Sequence, residues 1–384
     1  MIQFKVSMSH EKETSTETAV LQEKVSDYPS ASANKDPLLY PGERPESSYL
    51  TDGEAVYMVD SHHDDEGKLV FEMTVNGETI TMNDYLLEQG VPTMEERIPI
   101  LAFGANVSPS SIATKFAKVG RPNALIVPTI YAKLPGKDIV WSSPGLTGNP
   151  VAILYEGEET KNTDVQVAIN FLTPEQVLVM HQSEMTYDLS SVDVGVDGQM
   201  IRSFYYAGRN NIYLRDGHPV AIASIPAEGR DLSASSATSL LDEMMDKPEI
   251  QEALTKTYPD VSGGNARTYV DFAKSLPLAK DSTDRQTLKS IVVNTLNEHE
   301  NARFAEIKDA FETRQSWANP STLPTLGDQQ EGILHKDVYR LPSQELSNWA
   351  NRDARATTLR SMTGHLIRMS GGALKLASDK TPKK

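Results

Sequence analysis

The chain contains no cysteine. That absence excludes disulfides, thiolate metal sites and a cysteine nucleophile. No apolar run approaches the ~20 residues that a transmembrane helix needs, and none of the described motifs below sits in one. The opening Met1-Ile2-Gln3-Phe4-Lys5 lacks the apolar stretch of a secretory signal, so a cytoplasmic location is expected. Positive charge is scarce: 37 Lys and Arg stand against 53 Asp and Glu, for a net charge of −16. Such a surface repels nucleic-acid backbones and anionic membranes, so neither is expected as a partner. The basic run from Lys375 to Lys384 is a local exception and reads as a soluble tail. Three catalytic signatures are also missing. Without Gly-x-Ser-x-Gly there is no serine-hydrolase elbow. Without Gly-x-x-x-x-Gly-Lys or His-Glu-x-x-His there is no phosphate loop or helical zinc pair.

What is present is length without a uniform core. The 384 residues have room for two or three domains, but a hydrophobic fraction of 39% implies that part of the chain is solvated. Residues 1–50 are rich in Ser, Glu, Lys and Pro, show no apolar period, and are expected to form a disordered polar arm. In residues 51–95, Val56 and Met58, then Leu69, Phe71, Met73 and Val75, alternate on either side of His62–Gly67. This is the pattern of a β-hairpin. Asn83 opens a short helix, Asp84 to Gln89, closed by Gly90. This lead-in is either an added hairpin or a small lid.

Residues 96–232 mix the two periods. Strands are expected at Ile98–Phe103, Leu125–Val127, Ile130–Leu134, Ile139–Trp141, Val151–Tyr155, Val165–Phe171, Leu189–Val196 and Ser203–Ala207. A hairpin is expected about Asp216-Gly217. Two helix starts stand out. Ser108-Pro109 places Pro in the first turn, where its missing N–H costs nothing. Thr173-Pro174-Glu175-Gln176 adds a capping box to the same arrangement. Residues 233–384 are expected to be a helical extension, with helices at Ser233–Met245, Gly264–Leu276, Thr283–Trp317 and Ser343–Met369, and a loop over Pro320–Asp328. The long amphipathic third helix either packs on the domain or forms a seam for a protein partner or oligomer.

Several polar groups are candidates for chemistry. His62-His63-Asp64-Asp65-Glu66 collects metal-ligand types, but consecutive turn residues do not converge on one ion, and no metal is expected there. Gly145–Asn149 reads as a plain loop, and Arg202 and Arg209 are possible carboxylate partners. His181 precedes Glu184 by one helical turn and reads as a packed histidine. Glu184 itself falls at the end of the helix capped by Thr173. There the macrodipole disfavours negative charge, and Val177 and Met180 or His181 share its face. A half-buried carboxylate so placed suits a general acid/base.

Two stretches in this order carry a resemblance: Pro99-Ile100-Leu101-Ala102-Phe103-Gly104-Ala105-Asn106-Val107-Ser108-Pro109 and His181-Gln182-Ser183-Glu184-Met185-Thr186-Tyr187. Tyr131, Pro144-Gly145-Leu146 and Pro150–Leu154 lie between them. Over about residues 96–225 the chain resembles the γ-glutamylcyclotransferase-like family, whose strand-loop motif is Tyr-Gly-Ser-Asn and whose later glutamate moves the proton. The resemblance implies an α+β fold with a barrel-like mixed sheet. It also implies a small-molecule γ-glutamyl substrate and no cofactor or metal. Substrate would be bound by Phe103, Gly104, Ala105, Asn106 and Tyr187, with Glu184 as the catalytic acid/base. Closing the γ-glutamyl group to 5-oxoproline would release an amine. Phe103 and Ala105 stand where the family has Tyr and Ser, so two hydroxyls are missing. A non-catalytic binding or assembly module with the same pocket is the alternative.

Overall fold

The computed structural model describes residues 23–31, 36–117, 125–143, 150–184, 187–208, 212–257, 263–275 and 323–330. Helices expected over Thr283–Trp317 and Ser343–Met369, the loop Gly145–Asn149, Arg209 and residues 1–22 lie outside these.

The architecture is mixed α+β. Five strands close a ring of hydrogen bonds. Asp164–Leu172 pairs antiparallel with both Ile98–Ala102 and Val127–Pro135. Tyr187–Val196 pairs with Gln199–Gly208 and touches Val127–Pro135 through Gly195 and Lys133. Phe204 beside Ile100 closes the circuit in parallel. Beyond Val127–Pro135 the sheet continues through Tyr49–Asp52, Ala55–His63, Leu69–Val75 and Glu78–Thr81. A second sheet carries Asp138–Trp141 between Ala152–Tyr155 and Ala221–Ile222.

The strand Ile98–Ala102 is buried along its whole length. Its side chains alternate between two cores, as the period of two requires. Ile98 and Ile100 join Ile112, Phe116, Val177, Met180 and Phe204 under the helices Pro109–Phe116 and Pro174–Ser183. Leu101 and Phe103 enter the larger core with Ile130, Trp141, Ile169 and Leu240. The strand therefore delivers the following loop between the ring and the first pair of helices.

Arg97 fixes the start of that strand. It is 1% exposed. Its Nε donates to the Pro92 carbonyl at 2.9 Å, and its Nη1 reaches the carbonyls of Ile126 and Phe171 at 3.2 Å. Gln176, the capping-box residue of Pro174–Ser183, accepts from the same Nη1 at 3.4 Å.

Four differences from the sequence reading stand out. Residues 36–52 are not a solvated arm. Leu38 and Tyr40 pack against the larger core, and Asp36 forms a two-pronged ion pair with Arg267 at 3.0 and 2.9 Å. Val127–Pro135 is one strand where a break was expected, because Pro128 is paired only on the Leu50 side. Helices Ala237–Met245, Pro248–Thr257 and Ala266–Ser275 bury Leu240, Met244, Ile250, Leu254 and Tyr269 in the same core as the sheet. The expected loop over Pro320–Asp328 contains the start of a short helix, Leu326–Gln330. Among the described residues no helix is long and apolar enough to cross a membrane.

Candidate functional site

The two stretches singled out in the sequence meet. After Ala102 the chain turns at Gly104, makes the 3-10 turn Ala105–Val107, and enters helix Pro109–Phe116 through Ser108. Asn170 clamps this turn by donating to the Asn106 carbonyl at 3.0 Å, while Thr129 holds the Asn170 oxygen at 3.0 Å. On the other side, the expected capping box is formed in full. The Thr173 N–H donates to Gln176 Oε1 at 2.9 Å, and the Gln176 N–H donates to Thr173 Oγ1 at 3.3 Å. Helix Pro174–Ser183 then ends with Glu184 as its C-cap.

Glu184 and Asn106 are in contact: Asn106 Nδ2 donates to Glu184 Oε1 at 3.3 Å. The group that joins them is Lys115, which the sequence reading did not include. Its Nζ is 2.5 Å from Glu184 Oε1 and 2.6 Å from Asn106 Oδ1. The two charged side chains are only 14% and 12% exposed, so solvent screens this pair far less than a surface ion pair. The ammonium also offsets the unfavourable position of a carboxylate at a helix C-terminus. A signal for Lys115 exists in the sequence. From the Ser108 cap, helical spacing puts Ser111, Ile112 and Lys115 on one face, and Ile112 is fully buried.

Tyrosines surround the pair. Burial raises the pKa of Tyr187 and Tyr206, and the Glu184 charge raises both further. Tyr206 also meets His181 Nδ1 at 2.7 Å, and His181 is 1% exposed, a packed residue. Tyr40 lies on the segment the sequence reading assigned to the arm. Its phenol is pushed up by burial, and the Glu184 charge adds to this. The Tyr40 hydroxyl accepts the Ala152 N–H at 2.8 Å and also faces the Ala105 N–H.

That hydroxyl explains Gly104. The backbone φ there is −107°, which any residue adopts, so the requirement is space. A Cβ on Gly104 would collide with the Tyr40 oxygen. Gly104→Ala is expected to cost about 1–3 kcal/mol by overpacking. Tyr40→Phe should then cost less in the Gly104→Ala background than in the wild type. Denaturant unfolding of the four proteins checks this; equal costs in both backgrounds would show that the two groups do not collide.

The remaining candidates separate from this cluster. Phe103 turns into the larger core, with its ring 6.5 Å from that of Tyr205. Arg202 is held by Asp193. His62 and His63 end one strand of a hairpin, and no three metal-ligating side chains converge among the described residues. Two surface clefts of about 520 and 530 Å³ share Asp197 and Gly198 in their linings, which do not include Glu184, Lys115 or Asn106. Chemically, the cluster offers a carboxylate, an ammonium and a carboxamide within hydrogen-bonding distance of one another, beside two backbone N–H groups that converge on one oxygen. Compared with known proteins, the chain matches no family model, no curated protein and no solved structure.

Proposed function

We propose that this chain is a γ-glutamylcyclotransferase-like enzyme with Glu184 as its acid/base. The observation that carries the reading is the contact between Asn106 and Glu184, two residues 78 positions apart that the resemblance pairs. A γ-glutamyl substrate presents an α-ammonium and an α-carboxylate. The ammonium replaces Lys115 on Glu184, and Lys115 is released to the carboxylate, so both charges in the cluster keep a counter-ion. Glu184 takes a proton from the ammonium. The amine nitrogen then attacks the γ-carbonyl carbon, forming the ring C–N bond. The leaving nitrogen takes the proton held by Glu184 as its bond to the γ-carbon breaks. Glu184 then accepts the second proton from the ring nitrogen and passes it to the departing amine, so the products are a neutral lactam and an ammonium. Because the nucleophile and the carbonyl belong to one molecule, holding the substrate folded supplies much of the rate.

A second reading is favoured by a specific observation. Lys115 engages Glu184 at 2.5 Å while Tyr40 covers the backbone N–H groups, an arrangement suited to a non-catalytic binding module. One experiment separates the two. Release of 5-oxoproline is measured from glutathione, γ-glutamyl-lysine and a set of γ-glutamyl dipeptides. Wild type is expected to turn over at least one of them, and Glu184→Gln to lose about 10²-fold or more, the usual scale of general acid/base catalysis. Silence from a folded wild type supports the binding module. Equal release from both proteins removes Glu184 from the role.

A further inference from the structure

One nitrogen of a partly buried arginine has no hydrogen-bond partner among the described residues. The Nη2 atom of Arg44 is buried and unpartnered. The ionisable groups in its neighbourhood are the phenols of Tyr131, Tyr49 and Tyr40, and no carboxylate is among them. Burying an arginine nitrogen without an acceptor is costly, and native chains rarely retain such a cost without a use for it.

The setting of Arg44 is rigid and belongs to the neighbourhood of the candidate site. Tyr131 donates its hydroxyl to the Pro45 carbonyl at 2.5 Å, and Ser48 accepts the Tyr131 N–H at 2.9 Å. Tyr49 donates to the Val107 carbonyl, at the end of the Ala105–Val107 turn. Gly42, at φ +99°, brings the chain so close to Ser108 that a Cβ would stand 3.2 Å from the Ser108 Cβ. Glu43 N–H is fixed on the Pro29 carbonyl at 2.9 Å. The segment carrying Arg44 is therefore bound down on both flanks. Tyr131 and Tyr49 donate their hydroxyl protons to backbone carbonyls, and the Tyr40 hydroxyl accepts backbone N–H groups.

We propose that Arg44 is a binding residue for the carboxylate of a small-molecule ligand, near Tyr40, Tyr49 and Tyr131. A guanidinium meets a carboxylate with two parallel N–H···O bonds in one plane. Burial also pushes the Arg44 pKa down, and the charge of a carboxylate beside it would oppose that shift. This assignment stands whether or not Glu184 turns the ligand over.

The test is thermal unfolding of the full chain at fixed ionic strength with L-glutamate, 5-oxoproline or inorganic phosphate. The expected result is that at least one carboxylate raises the wild-type Tm in a saturable way. Arg44→Gln should lose at least tenfold in that affinity, with its own ligand-free Tm unchanged or higher, because an unpartnered buried cation has been removed. Arg44→Lys, which keeps the charge but loses the fork, should bind more weakly than wild type and serves if the Gln variant fails to fold. No shift of the wild type by either carboxylate overturns the proposal. So does an undiminished shift in Arg44→Gln, or a lower ligand-free Tm with unchanged affinity, which is the behaviour of a structural arginine. A shift by phosphate alone overturns the carboxylate assignment in favour of a tetrahedral oxyanion. Release of 5-oxoproline with unchanged KM in Arg44→Gln would overturn this assignment and leave the reading of Glu184 standing.

Discussion

Above pH 10 the chain is expected to unfold cooperatively within about one pH unit, because its tyrosines are buried as neutral phenols. Nine of the 14 tyrosines have a pKa raised above the ordinary value: Tyr40, Tyr49, Tyr85, Tyr131, Tyr187, Tyr205, Tyr206, Tyr213 and Tyr269. Burial is the largest cause in each, and Tyr131 is pushed up to about 12. Asp52 and Glu243 add to the effect at Tyr85 and Tyr213 by accepting the phenol proton in hydrogen bonds. A group whose folded pKa exceeds its unfolded value lends stability that is fully present below the unfolded pKa. That stability is lost as pH rises toward the folded one. Each such phenol removes about 1.4 kcal/mol per pH unit above about 10. Nine together remove on the order of 10 kcal/mol per unit, comparable with the roughly 5–15 kcal/mol that holds a domain folded.

Arg97 acts in the opposite direction, since burial pushes its pKa down to about 10. Between that value and its ordinary one the unfolded chain binds more protons, so this group gains stability with rising pH. Burial lowers Arg44 in the same direction, and two groups do not offset nine. Tyrosinate absorbance and circular dichroism, followed together against pH, check the expectation: both should change in one steep, coincident step. A gradual titration centred near pH 10 with unchanged circular dichroism would mean that these phenols reach water without unfolding.

What was legible in the sequence was what is decided within a few residues. Thr173, Pro174 and Gln176 form their capping box through contacts three residues apart, so the helix start needed nothing from the rest of the chain. Ser108-Pro109 is the same kind of signal, and the fully buried Ile98–Ala102 strand shows as an apolar run. The groups that were missed depend on distant partners. Lys115 acquires its role from a carboxylate 69 positions away. Tyr40 and Arg44 sit in a stretch whose average composition is that of a solvated arm, and it is tertiary contacts, among them those of Leu38 and Tyr40, that order it. Helix Pro248–Thr257 was hidden because Ile250 and Leu254, buried among polar neighbours, are too sparse for a period to emerge. The pairing of Asn106 with Glu184 came from the resemblance and not from spacing, since nothing local connects a strand end to a helix end.

Arg97→Met is expected to cost about 3 kcal/mol and to loosen the candidate site without touching it. Two effects compete. Removing the guanidinium relieves the burial of a charge, and replacing a buried ion by an apolar side chain of similar shape is sometimes neutral. Against this stand acceptors that no substitution at position 97 removes, because three of them are backbone carbonyls: Pro92, Ile126 and Phe171. The Ile126 carbonyl keeps a second donor in Gln176 Nε2 at 3.2 Å. The Phe171 carbonyl is less secure, since the residue opposite it in the ring is Pro99, which has no N–H to give. Arg97 supplies the donor that the proline withholds, and orphaning such a carbonyl in the interior costs about 1–3 kcal/mol by itself. The loss therefore outweighs the relief. Lysine should not rescue it, because a single ammonium does not span acceptors that the guanidinium reaches through Nε and Nη1. The strand it anchors ends at the Gly104–Asn106 turn, and the helix it anchors through Gln176 ends at Glu184. Denaturant unfolding gives the stability. Hydrogen exchange at Asn106 and Glu184 should rise by more than the global change alone requires. A variant within about 0.5 kcal/mol of wild type, the usual range for surface changes, would show that the carbonyls find water instead.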